Sequence, residues 1–205
     1  MKFKDLHNLF VECRSTRRFI NNVSIPGQDL HDLVEIARLT ASSKNQQPLK
    51  YILINDRTRC ADVFGCLGWA KALAKWPGPE ESERPAAYII ILGDSSVGNS
   101  LSMVGAKYSV DPGIVAQSIM LGAKAKSLGG CVLASIDRDK LREAFEIENK
   151  FDILLIAAIG KPGEKIFIEP MPADGSPNYW RDDDDNHHVP KRSAEELVIS
   201  EYISE

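Results

Sequence analysis

Apolar residues recur along this chain with two periods. Leu6, Leu9 and Phe10 share one face of a helix predicted over Asp5–Cys13, and Leu30, Leu33, Val34 and Ala37 share a face of a second helix that opens at Ser24-Ile25-Pro26. The spacing of Val115, Ile119 and Gly122, with Ala116 and Ala123 beside them, predicts the longest helix, Asp111–Leu128, ended by Gly129-Gly130 as glycine ends helices. Thr58–Leu73 also reads as helical despite Gly65 and Gly68, and Asp137 caps a charged helix, Arg138–Phe145. Between them stand short apolar runs: Tyr51–Ile54, Ala86–Leu92, Cys131–Ile136 and Ile153–Ile159. Their length and β-branched content predict strands.

The remaining segments are polar. Ala41–Pro48 is a loop, Pro77–Pro85 is rich in Pro and Glu, and Ser95–Ser102 is small and polar. Residues 165–205 change character, with Pro170, Pro172, Pro177 and an Asp182–Asp185 run that read as an extended, poorly packed arm. Pattern returns at Val189-Pro190-Lys191-Arg192 and at Leu197-Val198-Ile199, a strand expected to pack on something distant, a partner subunit included. Strands alternating with helices across crossovers of uneven length point to α+β or α/β, a central sheet with helices on both faces. At 205 residues this is read as a single domain with 165–205 as its arm.

Composition narrows the function classes. A net charge of −4 and a pI of about 5.6 leave no basic footprint for nucleic acid. The longest apolar run, near Ile153–Ile159, is far short of the ~20 residues of a spanning helix. Met1–Val11 carries Lys2, Lys4, Asp5 and His7 and is no signal peptide, so a cytoplasmic location is expected. Cys13, Cys60, Cys66 and Cys131 form no CxxC pair and read as reduced thiols; His187-His188 reads as part of a solvated loop, and no metal is expected. No GxGxxG, no GxxxxGK[ST] and no GxSxG occurs, so neither a Rossmann site, a P-loop nor an esterase elbow is signalled.

Four constellations could carry chemistry. Arg14-Ser15-Thr16-Arg17-Arg18 offers three guanidiniums able to grip phosphate, or else a basic turn at the end of a helix. Ser43, Asn45 and Gln47 in the loop before Pro48 can both donate and accept, as the edge of a flavin requires, or else merely end a helix. Gly129-Gly130 admits a planar ligand close to the backbone, or else caps a helix. Lys191-Arg192 could close on a phosphate, or else start a charged strand.

Taken in order, these segments resemble the nitroreductase family. Arg14–Phe19 looks like its RRSxRxF segment and Ala41–Pro48 like its PSxxNxQPW loop. Asp111–Gln117 through Leu128-Gly129-Gly130 is similar to its long helix, DxGxAxQxxxLxAxxLGLG. Ile159-Gly160-Lys161-Pro162 and Val189–Leu197 resemble its IGxP and KxRxxLEEL segments. The resemblance implies an α+β fold with a central, mostly antiparallel sheet flanked by helices, and an FMN-binding homodimer with sites at the subunit interface and a C-terminal arm on the partner. Carried over, Arg14, Ser15 and Arg17 would contact FMN; Asn45 and Gln47 would face it, with Ser43 nearby; Gly129 and Gly130 would lie against its ring; and Lys191 or Arg192 would hold its phosphate. Gly122, Ala123 and Ala125 would let the long helix pack on its twin. Ala41, Leu49 and Gly130 stand where the family has proline, tryptophan and leucine, changes that touch ring packing and pocket shape.

The function implied is an FMN-dependent NAD(P)H oxidoreductase that passes hydride from NADH or NADPH through flavin N5 to a small acceptor such as a nitroaromatic or quinone, with Arg17 as the stabilising cation. Leu67–Pro85 and Ser95–Ser109 would shape the pocket, with Trp69, Trp76 and Tyr108 as stacking walls or as core. The alternatives on the same fold are a non-catalytic FMN-binding protein, a dimer that has lost its flavin, and an enzyme of dehalogenation or dehydrogenation.

Overall fold

In the computed structural model residues 2–69, 76, 78–97, 108 and 110–204 are described. They form two compact units, Met1–Gly163 and Glu164–Glu205.

The first unit is organised by one strand. β2 (Ala87–Asp94) is buried along its whole length, so both of its faces must be covered. It lies between β1 (Leu49–Ile54) and β4 (Phe151–Gly160), and β3 (Gly129–Leu133) closes the order β1-β2-β4-β3, with every pairing antiparallel. Period-two alternation sorts the side chains. Tyr88, Ile90 and Leu92 join Ile54, Cys60, Val63, Cys131 and Leu141 in one core, beneath α3 (Arg57–Phe64) and α5 (Arg138–Ala144). Ala87, Ile89 and Ile91 join Leu30, Leu33, Val115, Ile119 and Ile159 in the other, beneath α2 (Gly27–Arg38) and α4 (Asp111–Ala125). The expected central antiparallel sheet with helices on both faces is what the chain forms. α1 (Phe3–Glu12) buries no residue fully.

Three local readings are corrected. α3 ends at Phe64, not Leu73: Gly65 caps it and Leu67 bridges Ile136. α4 ends at Ala125, with the left-handed turn taken by Ser127 (φ 59°) and Leu128 N–H donating to Ala123 O at 2.8 Å. Gly129 and Gly130 therefore open β3 rather than capping a helix, paired with Gly160 and Ile159. Gly122 and Ala123 are not held for a twin helix. A Cβ on Gly122 would stand 2.9 Å from Leu33 and Ile36 of α2, and Ala123 is buried in the same core. Of the three small residues only Ala125 is exposed.

The second unit, read as a poorly packed arm, holds a sheet. β5 (Ile166–Pro170) pairs in parallel with β7 (His187–Lys191), which pairs antiparallel with β6 (Trp180–Arg181). The His187-His188 pair lies on a strand, not in a solvated loop. His187 is buried, and the His188 ring stacks on Trp180 and Phe167 with Glu169 at 2.7 Å and Asp182 at 3.1 Å from its two nitrogens. The aspartate run is an organised turn: Asp182 accepts from the backbone N–H of Asp184 and Asn186 and from the Asn186 amide. Leu197-Val198-Ile199 is not a strand. A Ser193/Glu196 capping box starts a short helix, α6 (Ala194–Leu197), and Ile199 beyond it is 99% exposed.

Candidate functional site

The basic segment is placed by its backbone. Ser15 bridges Gly130 and the Thr16 N–H donates to Gly130 O at 2.9 Å, so the segment runs along the free edge of β3. Further on, Phe19 bridges Pro162, Ile20 N–H donates to Lys161 O and Phe19 N–H to Glu83 O. This contact explains the glycines. A Cβ on Gly129 would meet Thr16 Oγ1 at 2.6 Å, and one on Gly130 would meet Met120 Sδ at 2.7 Å. Two constellations read separately from the sequence are thus one corner of the sheet. There Ser15 is exposed, Arg14 and Arg17 are half-buried, and the Arg18 guanidinium faces Glu83. Arg14 Nη2 donates to Phe10 O at 2.8 Å, while its Nε is buried without a hydrogen-bond partner. Arg17 Nη1 lies 3.4 Å from Ser15 O.

The amide loop is placed by a side chain. Asp111, 2% exposed at the start of α4, accepts from the Ser42 hydroxyl at 2.5 Å and from the Ser43 N–H at 3.0 Å. Ser42 Oγ in turn accepts from the Gln47 N–H at 2.9 Å. So held, Lys44, Asn45 and Gln47 all adopt positive φ (52°, 54° and 50°), a region disfavoured for Lys and Gln. Gln47 Nε2 points at Asn45 Oδ1, 3.2 Å away, and Ser43, Asn45 and Gln47 are exposed. Beside the loop lies a cleft of about 260 Å³ that includes Arg38, Tyr51 and Asp111 in its lining. Burial and the Asp111 carboxylate push the Tyr51 phenol up.

These two groups do not meet within one chain. The loop precedes β1, whose Leu49 pairs with Gly93, itself opposite Asp152 near the start of β4. Gly129 lies opposite Gly160 at the far end of β4, on the other edge of the sheet. Three strand spacings across and the length of β4 along separate the two corners by roughly 30 Å. Lys191 and Arg192 belong to the second unit, Lys191 exposed at the end of β7 and Arg192 3.5 Å from Glu196.

The aromatic walls are mostly core. Trp69 is 5% exposed and stacks on Phe64, Trp76 packs against the same core, and the Tyr108 hydroxyl donates to Asp152. Residues 70–75, 77, 98–107 and 109 of the two pocket segments lie outside the described residues. Sequence reasoning passed over Asp111 as an anchor. An aspartate directly before proline at the start of a long helix is its only local signal.

Solved nitroreductases share this architecture. A nitroreductase family protein from Clostridium novyi NT matches with a TM-score of 0.65 at 21% identity, over 79% of this chain and 86% of that one. The chain has the nitroreductase fold. An FMN-dependent nitroreductase from Clostridium difficile R20291 matches with a TM-score of 0.61 at 20% identity, over 77% and 87% of the two chains. In sequence, the nitroreductase family model matches residues 107–161, which span α4, β3, α5 and β4. The Bacillus subtilis (strain 168) protein named "Putative NAD(P)H nitroreductase MhqN" is 24% identical over 179 residues, 75% of this chain and 87% of its own. The resemblance to the nitroreductase family read from the motifs stands.

The nitroreductase resemblance implies FMN, and the residues present fit it. A guanidinium with a buried, unpartnered Nε beside an exposed serine is a donor set for phosphate or for the flavin's carbonyl edge, since buried polar atoms are otherwise satisfied. The exposed amides of Asn45 and Gln47 are the mixed donors and acceptors that the ring edge needs.

Proposed function

We propose that this chain is an FMN-dependent oxidoreductase whose site is completed by a second copy of itself. The observation that carries the proposal is the separation of the two corners. Each holds half of a flavin-binding set, and they lie too far apart to serve one ligand. A two-fold axis that places the β1 corner of one copy against the β3 corner of the other would make two complete sites. Apolar surface supports the pairing: Phe3 on α1 is 80% exposed, Leu39 at the end of α2 68% and Val110 at the start of α4 51%. Leu197, Ile199, Tyr202 and Ile203 are likewise exposed in the second unit, as an arm awaiting a partner would be.

In this reading Arg14 and Ser15 hold phosphate or ribityl oxygens, and Arg17 lays positive charge along the pyrimidine edge, where charge gathers on reduction. Ser43, Asn45 and Gln47 come from the other copy and fix the ring by its polar edge. Gly129 and Gly130 let the arginine segment lie close to the sheet, and Lys191 or Arg192 is assigned to the phosphate. Bound FMN would supply hydride relay from NADH or NADPH to a small acceptor such as a nitroaromatic or quinone. The names of the Clostridium difficile and Bacillus subtilis relatives support flavin and nicotinamide chemistry.

The test is the visible spectrum of the purified protein, with identification of what denaturation releases and light scattering of the native form. Bands near ~370 and ~450 nm, released FMN, and a mass about twice 22.7 kDa are expected. Bleaching by NADH or NADPH and recovery with an acceptor would establish turnover. A coloured protein that neither nicotinamide bleaches is a flavin carrier, and a colourless monomer sinks the proposal.

A further inference from the structure

A second cleft, of about 210 Å³, opens on the opposite face of the sheet, between α3, the end of β1 and the start of β2. Two of its lining residues carry hydrogen-bonding atoms that the chain leaves unused. The Tyr88 side chain is 0% exposed, yet its hydroxyl has no partner. Arg84 sits over the Phe64 ring, its guanidinium carbon 4.0 Å from the ring centre, and its Nε is buried and unpartnered. A buried hydroxyl and a buried guanidinium N–H on one cleft are a cost that a bound group would remove.

The rest of the lining sets the class of that group. Arg84 and Arg57 bring two positive charges and Glu81 one negative, a net charge of one, which suits a monoanion. Arg57 spends an N–H on Asn21 Oδ1 at 3.3 Å, and the Asn21 amide donates to Arg84 O at 3.1 Å, so the cleft's polar wall is held in place. Ala61, Pro85 and Ala86 add apolar surface for a small hydrocarbon body. A cleft of this size has room for a ligand of several heavy atoms.

We propose that this cleft binds a small monocarboxylate, its carboxylate on the Arg84 fork, an oxygen in reach of the Tyr88 hydroxyl, and its apolar body against Pro85 and Ala86. The site is independent of the flavin reading, since none of its lining residues belongs to the flavin set.

Benzoate, titrated calorimetrically into the full-length protein, is the probe, with inorganic phosphate as competitor and with Tyr88→Phe and Arg84→Lys as variants. Saturable benzoate binding is expected, weakened about tenfold or more by either substitution, because hydrogen bonds to a charged group are the strong ones. Tyr88→Phe should melt no lower than the parent, since it removes a hydroxyl that nothing in the chain satisfies. Should Arg84→Lys fail to fold, Tyr88→Phe decides alone. No saturable binding would mean that water fills the cleft, and the proposal would fall. Binding indifferent to both variants, or phosphate displacing benzoate at equal concentration, would overturn it equally.

Discussion

The two corners of the four-stranded sheet are built by opposite means. At the β3 corner the backbone does the holding: Thr16 N–H on Gly130 O, Ile20 N–H on Lys161 O, and glycines that let the strands close up. The side chains of Ser15, Arg14 and Arg17 are placed without being the anchors. At the β1 corner one buried carboxylate, Asp111, holds a loop whose backbone is in a costly conformation at Lys44 and Gln47. The contrast teaches that a backbone-held site tolerates loss of its functional side chains, whereas a side-chain-held site depends on a residue that need not touch the ligand.

Asp111→Ala should break this contrast most sharply. It strips the Ser42 hydroxyl and Ser43 N–H of their acceptor, and about 2–4 kcal/mol of stability should go. Urea unfolding measures it, and a loss under about 1 kcal/mol would mean the loop has another anchor. Gly129→Ala comes next. Its Cβ would stand 2.6 Å from Thr16 Oγ1 and 2.9 Å from Pro162, and overpacking of this kind costs about 1–3 kcal/mol. Flavin retention should fall with it, because the arginine segment is displaced.

Arg14→Ala and Arg17→Ala test the other half of the contrast. Stability should change by less than about 1 kcal/mol, while FMN affinity falls about tenfold for Arg14 and flavin reduction slows for Arg17. If affinity and reduction rate are unchanged in both, the corner is not a flavin site. Lys44→Gly should act in the opposite direction, a gain of roughly 0.5 kcal/mol by relief of the positive φ, read in the same urea titration. A loss there would mean that Lys44 carries an interaction worth more than its strain.

The second unit offers the smallest effect, through pH. Hydrogen bonds to Glu169, then to Asp182, raise the His188 pKa above 6.5. A raised pKa means that the stabilisation is complete below the ordinary histidine value and is lost as pH rises through the folded one. Bonds from Asn186, then His188, hold Asp182 down at about 2, so its contribution is present above the ordinary carboxylate range and lost only as pH falls toward that value. Amide protection factors across β5 and β7, corrected for the intrinsic base catalysis of exchange, should therefore fall as the solution turns alkaline, and a His188 NMR titration midpoint at or below 6.5 would refute the pairing.

Much of the first unit is legible locally. Ala86–Leu92 and Ile153–Ile159 are apolar runs too short for helices and too rich in isoleucine for loops. The α2 face follows from Leu30, Leu33 and Ala37. What escapes is set by contacts distant in sequence. Whether Gly129-Gly130 ends a helix or opens a strand depends on Thr16, and Asp111 acquires its role from Ser42. The second unit escapes for the same reason: prolines and aspartates hide the strands, and the sheet is tied by polar links such as Arg181 to Glu164 and His188 to Glu169. The residues proposed to hold flavin are legible only as an ordered set, since each segment alone reads equally well as a turn or a cap.

The burial of β2 has a cost that lies outside the folded state. Its Ala87–Leu92 stretch is uncharged and rich in isoleucine, and pairs on both sides only once Leu49–Ile54 and Phe151–Gly160 have arrived from distant parts of the chain. Until then the same strand is a template for any other copy in reach. The arginine at 84, the proline at 85 and the aspartate at 94 stand at its ends as the residues that interrupt such stacking. Refolding yield should thus fall with concentration, and crowding on the way to the native state, rather than weakness of that state, would limit how much of this chain a cell can make.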